Sequence, residues 1–181
     1  SAASDVYKRQ ELSNEHCLCL VISELMEAVE ADRKGRFAKV PVDKKDTIFD
    51  ERTFHYQNKY FAENFEAYIK DCVEDELADA AIRLLDLCGL RKIDIEDFTE
   101  EMLYGAEESC NDETFTESVY AISTIPIRYE YEYDYPLGGQ LNSMLLAIFG
   151  LAKHLDIDLI WHINQKMRYN ELRENKHGKK Y

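Results

Sequence analysis

Val73-Glu-Asp-Glu76-Leu77-Ala-Asp79-Ala-Ala81-Ile-Arg83-Leu84-Leu-Asp-Leu-Cys88-Gly89-Leu90 is the stretch from which the fold can be read. Leu77, Ala81, Leu84 and Cys88 recur at steps of four, three and four, the spacing of one buried stripe on a helix. Gly89 reads as the end of that helix. Glu76 and Asp79, three residues apart, fall on one side of it, about 60° from each other.

A second periodic run, Glu11 to Asp32, places Leu18, Ile22, Leu25 and Val29 on a stripe of the same kind, with Ser13 as a plausible start. It carries Glu24-Leu-Met-Glu27, an acidic pair with the spacing of Glu76 and Asp79, on the side away from the stripe. Four converging carboxylates make an oxygen-rich cage suited to a hard divalent cation, Mg²⁺ with Mn²⁺ as a substitute. Such an ion is the usual partner of a phosphate-bearing substrate. Each motif alone is weak, because acids opposite a core stripe are ordinarily solvated. Arg83, four residues beyond Asp79, can also satisfy Asp79 as a surface ion pair.

The C-terminal run adds a third element. Lys166, Asn170 and Arg173 fall at i, i+4 and i+7 on one helix face, followed by His177-Gly-Lys179-Lys180. Basic residues near a helix C-terminus also complement the macrodipole, by roughly 0.3 to 1 kcal/mol each. Asn170 is the less expected member, since asparagine is a poor helix former and its amide can serve phosphate, base or sugar. Lys166, Asn170, Arg173 and Lys179 are therefore the candidate substrate-binding residues.

Three strings carry a family resemblance: Ser23-Glu24-Leu-Met-Glu27-Ala-Val-Glu-Ala-Asp-Arg-Lys-Gly35, Glu74-Asp-Glu76-Leu-Ala-Asp79-Ala-Ala-Ile-Arg-Leu-Leu-Asp86, and Lys166-Met-Arg-Tyr-Asn170-Glu-Leu-Arg173. With them the chain resembles the MazG-like, all-α nucleoside triphosphate pyrophosphohydrolases over roughly Leu12 to Ile95 and Leu141 to Tyr181. The resemblance implies that Glu24, Glu27, Glu76 and Asp79 are metal ligands and catalytic residues, and that Lys166, Asn170 and Arg173 contact the nucleotide. It implies Mg²⁺-dependent attack of water on the α-phosphorus of a nucleoside triphosphate, releasing a monophosphate and pyrophosphate, with a deoxynucleotide from the cellular pool as substrate. Two departures stand out. Forty-eight residues separate Glu27 from Glu76, and the segment 96–138 reads as an insertion. Compact members pair subunits to complete a four-helix core, so a homodimer is expected.

The rest of the chain reads as almost wholly α. Arg33 to Arg52 is a loop, and a helix follows with Phe61, Phe65 and Tyr68 on one side. Asp94 is the expected N-cap of a helix to about Glu108, and a short helix lies around Thr114 to Ile122. Arg128-Tyr-Glu-Tyr-Glu-Tyr-Asp-Tyr135 alternates strictly and reads as a strand or ordered loop, its tyrosines packing rather than binding a base. Leu141 to Leu155 and Asp158 to Glu174 are the closing helices, with Trp161 in the core and His162 at the surface or as a cap. Leu77, Leu87, Ile93 and Asp94 superpose on Leu141, Leu151, Ile157 and Asp158 at an offset of 64, as in an internal duplication or as chance helical periodicity. At that offset Glu76 falls on Gln140 and Asp79 on Ser143.

Composition sets the bounds. The 181 residues suffice for one core, and the expected domain spans 11–181, with the aperiodic residues 1–10 read as outside the native fold. Thirty-six acidic against 22 basic residues give a charge of −14, which repels duplex nucleic acid and anionic membrane. No apolar run approaches the ~20 residues needed to span a bilayer. Five cysteines without a C-x-x-C pair point to reduced thiols in the cytoplasm. No histidine or cysteine is positioned for nucleophilic catalysis. A di-iron bundle is disfavoured because it calls for Glu-x-x-His pairs. The alternative to an enzyme is a non-catalytic acidic helical module that senses nucleotides or binds a partner.

Overall fold

The structure, a computed structural model, describes residues 12–50 and 58–174. Among these residues it is all-helical, with eight helices and no strand. They are α1 (Asn14–Arg33), α2 (Val42–Lys45), α3 (Asn58–Tyr68), α4 (Val73–Arg91), α5 (Glu100–Glu108), α6 (Phe115–Tyr131), α7 (Leu137–His154) and α8 (Leu159–Glu174). None of these helices is long and apolar enough to cross a membrane.

Four helices close the main core in a ring, α1 on α4, α4 on α7, α7 on α6 and α6 back on α1. Leu18, Val21, Leu25, Leu77, Ala81, Leu84, Val119, Ile122, Leu141, Leu145 and Ile148 fill its interior. α1 and α4 run antiparallel, so that Arg91 at the end of α4 bonds Asn14 Oδ1 at 2.8 Å and the Leu12 carbonyl at the start of α1. The remaining long helices cross over: α5 follows α4 in sequence but packs on α7, and α8 follows α7 but packs on α4.

The two halves repeat in detail. Lys92 after α4 and Asp156 after α7, 64 residues on, both adopt the left-handed conformation, with φ of 55° and 58°. Ile93 N–H bonds the Cys88 carbonyl at 2.9 Å, and Ile157 N–H bonds the Ala152 carbonyl at 2.8 Å, the same bond at the same offset. Ser13 and Thr114 cap α1 and α6 alike in accepting from the N–H three residues on, and Thr114 adds the reciprocal Glu117 bond of a capping box. With these caps superposed, Glu24 falls on Ile125 and Glu27 on Arg128. The segment 96–138, read as an insertion, thus supplies α5 and one wall of the core, α6.

Several sequence expectations need correction. The α1 stripe runs through Val21 rather than Ile22, which is only half-buried. Gly89 lies within α4, and Lys92 takes the left-handed cap instead. Asp94 is not an N-cap. Thr99 caps α5, and residues 93–99 are held by buried Asn142, which accepts from Glu96 N–H at 2.8 Å and donates to the Asp94 carbonyl at 3.0 Å. α6 continues through Pro126 to Tyr131, so the tyrosine alternation is half helix and half turn. Tyr129 and Tyr133 meet edge-on at 5.9 Å, an i, i+4 pair that the alternation also contains, and Tyr135 meets Tyr129 at 5.2 Å as the chain turns after α6. The loop after α1 contains the short α2.

The crossing of α5 over α7 depends on Gly150, where an added Cβ would overlap Ala106 of α5. Gly105, in the same helix as Ala106, has open space around it. Gly150→Ala should therefore cost about 1–3 kcal/mol by overpacking, whereas Gly105→Ala should gain up to about 1 kcal/mol of helix propensity. Thermal unfolding followed by circular dichroism should show opposite shifts for the two variants. Equal shifts would contradict this packing.

Candidate functional site

Four buried acids crowd the junction of α1, α4 and α8. Glu24 faces inward from α1, beside Val21 and Leu25 rather than opposite the core, and is 7% exposed. Glu74, Asp75 and Glu76 fill the first turn of α4, where the helix N-terminus favours negative charge. This turn is buried because the segment after α1 straps over it. Val73 N–H bonds the Arg36 carbonyl at 3.0 Å, and Glu74 accepts from Ala38 N–H at 2.9 Å.

Of the four carboxylates expected to form the cage, three come together. Oxygens of Glu24, Glu27 and Glu76 all lie within 4.8 Å of one another. Opposite ligands of an octahedral Mg²⁺ stand about 4.2 Å apart, so hard oxygen donors at this separation fit one such ion after a small closure. Glu27 supplies the exposed side of the group and Glu24 and Glu76 the buried side. Asp79 is held instead by Lys166, whose Nζ lies 2.7 Å from Oδ2. Arg83 does not satisfy Asp79 as a surface pair. It reaches across to α1, with Nε 2.5 Å from Glu24 Oε1.

Two acids missed by the motif reading complete the picture. Asp75, fully buried, accepts from Asp71 N–H at 2.9 Å and from Lys166 Nζ at 2.9 Å. Oxygens of Asp71, Asp75 and Glu76 form a second close group. The only sequence signal was that Asp75 adjoins Glu76; its burial, and hence its need of the Lys166 cation, comes from the tertiary fold.

Burial dominates the electrostatics. It pushes the Glu76 carboxyl up to about 8, with Asp75 adding repulsion, and Asp75 up to about 6 against the pull of Lys166. It raises Glu24 as well, opposed by Arg83. For the Lys166 ammonium burial acts downward, but Asp75 and Asp79 outweigh it and hold the group above its ordinary value.

The remaining candidates lie further along α8. Asn170 is half-buried, and the Arg173 guanidinium sits 5.5 Å over the Tyr169 ring. Lys179 and the His177–Lys180 tail lie outside the described residues. Behind Lys166 a second apolar cluster joins Phe49, Phe61, Phe65 and Tyr169, with the Lys166 ammonium 5.7 Å over Phe65. α8 pins the strap there, Gln165 to the Phe49 carbonyl at 3.2 Å and Arg168 to the Ile48 carbonyl at 3.1 Å. Trp161 packs against Phe49 as a core residue should, but His162 is buried rather than superficial, and burial pushes it down to about 4.

The equivalent region of the second half carries no cage. Gln140 donates to Glu130 at 2.5 Å and to the Tyr135 carbonyl at 3.1 Å, and Arg128 bonds Thr124 and the Ala121 carbonyl of its own helix. Comparison with family models, with curated proteins and with solved structures finds no match.

Glu76 and Asp75 take up protons on folding, because their folded values lie above the ordinary 4.5 and 3.8. The stability linked to these two acids should therefore be full below about pH 4 and fall as pH rises toward about 8, and the fall should show in the whole protein above pH 6.5, because His162, pushed down to about 4, acts in the opposite direction below that point. Millimolar Mg²⁺ should restore more of the melting temperature at the alkaline end than at the acid end. A melting temperature that rises between pH 6.5 and 8 without metal would contradict the burial of these acids.

Proposed function

We propose that the protein is a Mg²⁺-dependent nucleoside triphosphate pyrophosphohydrolase that converts a nucleoside triphosphate, preferably a deoxynucleotide, to the monophosphate and pyrophosphate. The observation that carries this reading is the convergence of Glu24, Glu27 and Glu76 oxygens from two sequence-distant helices within 4.8 Å. It is supported by Lys166, a buried cation paired with Asp75 and Asp79 on the helix that carries Glu76. A protein of net charge −14 needs such positive charge to receive a triphosphate.

Glu24, Glu27, Glu76 and Asp79 are the residues that would hold the ion. When bound, it would lower the pKa of a water and neutralise charge at the phosphates. Arg83 fixes the Glu24 carboxylate from the side facing α4. Lys166 offers a compact point charge on a flexible stem, suited to a phosphate oxygen. Asn170 offers both donor and acceptor to base or sugar. Glu27, exposed and at the mouth of the group, is open to solvent and to substrate. A cytoplasmic setting belongs to the same reading. The four-helix ring closes within one chain, so a homodimer would form on an outer face rather than by completing the core.

Pyrophosphate release from a panel of ribo- and deoxyribonucleoside triphosphates with Mg²⁺ tests the proposal. A non-catalytic sensor would gain thermal stability from a nucleotide without generating product. Glu27→Gln should lower turnover roughly a hundredfold or more and, because Glu27 is exposed, leave the circular dichroism spectrum and melting temperature nearly unchanged. Near-normal hydrolysis by this variant would refute the assignment.

A further inference from the structure

The proposed reaction requires Lys166 at the phosphates, yet its ammonium is enclosed by two carboxylates. Nζ lies 2.9 Å from Asp75 Oδ1, 2.9 Å from Oδ2 and 2.7 Å from Asp79 Oδ2. The side chains of Lys166 and Asp75 are 8% and 0% exposed, whereas that of Asp79 is 21% exposed. Asp75 lies one residue before Glu76 and so about 100° around the helix from it, and Asp79 falls between them, about 40° from Asp75 and about 60° from Glu76. Asp79 therefore has two suitors, the ammonium and whatever cation Glu24, Glu27 and Glu76 gather. With its Oδ2 on Lys166, it is absent from the group of oxygens that those three form.

We infer that Asp75 is a positioning residue: it retains Lys166 beside the carboxylate cage, where the ammonium holds Asp79 in place of a divalent cation and passes to the substrate's phosphates once Asp79 turns to the ion. The inference rests on the pyrophosphohydrolase reading. Its physical basis is that no buried charge is left alone at any stage. Before loading, Lys166 pairs with both Asp75 and Asp79. With an ion bound, Asp79 would be free to ligate it, and Lys166 would keep Asp75 while gaining a phosphate. A lysine can do this because three donors on a flexible four-carbon stem can exchange one partner while keeping another. Without Asp75 the ammonium would follow Asp79 or move to solvent, and the site would lose its phosphate contact.

Mn²⁺ binding to the full chain without nucleotide, read from the electron paramagnetic resonance signal of free Mn²⁺, tests this. The double variant Asp75→Asn/Lys166→Met removes one charge of each sign, so the net charge of the site is unchanged. Released from the ammonium, Asp79 should then bind Mn²⁺ about tenfold more tightly. A non-hydrolysable triphosphate should bind the Mn²⁺-loaded variant about tenfold more weakly than it binds the loaded wild type. Mn²⁺ affinity that is unchanged or weaker overturns the inference, since a purely structural pair would give that result. The wild type provides a second readout that needs no variant. The Lys166 ammonium resonance in ¹⁵N-edited spectra should move on adding Mg²⁺ alone and move again with the triphosphate, and a resonance indifferent to Mg²⁺ overturns the inference. Wild type that takes up no Mn²⁺ removes the enzymatic reading as well, whereas uptake with an indifferent Lys166 removes this inference alone.

Discussion

Buried negative charge where α1, α4 and α8 meet is the constraint to which the rest of the structure answers. Glu24, Glu74, Asp75 and Glu76 are all withdrawn from water, and an isolated carboxylate in such surroundings is costly unless it is bonded, paired or protonated. Each has its own solution. Glu74 takes the Ala38 N–H of the strap, Asp75 takes Lys166 and the Asp71 N–H, Glu24 takes Arg83, and Glu76 is driven toward its protonated form. The strap, the aromatic cluster behind Lys166 and the start of α4 are therefore coupled. Phe49, Phe65 and Tyr169 keep α8 and the strap in place, and α8 in turn places the ammonium. Acid crowding of this kind in one corner of an otherwise apolar bundle costs stability, as perturbed groups at functional sites do.

The repeat sharpens that contrast. Two helical hairpins, α1 with α4 and α6 with α7, share caps, left-handed C-terminal turns and a crossed exchange of their following helices, α5 and α8. The core is thereby closed by one chain. Where the first hairpin presents Glu24, Glu27, Glu76 and Asp79, the second presents Ile125, Arg128, Gln140 and Ser143. Gln140 and Arg128 are bonded within their own hairpin. One half thus carries the acidic chemistry while the other supplies the opposing wall.

Much of this was legible in the sequence, and the rest was not for identifiable reasons. The Leu77, Ala81, Leu84, Cys88 stripe located α4 because apolar period alone determines a buried helical face. The 64-residue offset matched the left-handed turns that end α4 and α7, because cap geometry follows local sequence. The α1 face was misplaced by one residue, since Val21 and Ile22 are equally apolar and only packing against α4 chooses between them; Glu24 consequently read as lying away from the core when it is buried. The tyrosine alternation misread as extended because a period of two also contains every i, i+4 pair of a helix. The partners of the acids were beyond reach. That Arg83 crosses to Glu24 and Lys166 reaches Asp75 and Asp79 depends on contacts 59, 91 and 87 residues apart in sequence, which no local pattern encodes.

The central claim is that the acids of α1 and α4 jointly hold a divalent cation. Anomalous diffraction from a crystal soaked in Mn²⁺ tests it most directly. The account predicts an anomalous peak among the carboxylates of Glu24, Glu27 and Glu76, about 2.2 Å from their oxygens as expected for hard oxygen ligation, with none between Gln140 and Arg128 in the second hairpin. Mn²⁺ found only on unrelated surface acids, with those three glutamates bare, would contradict it.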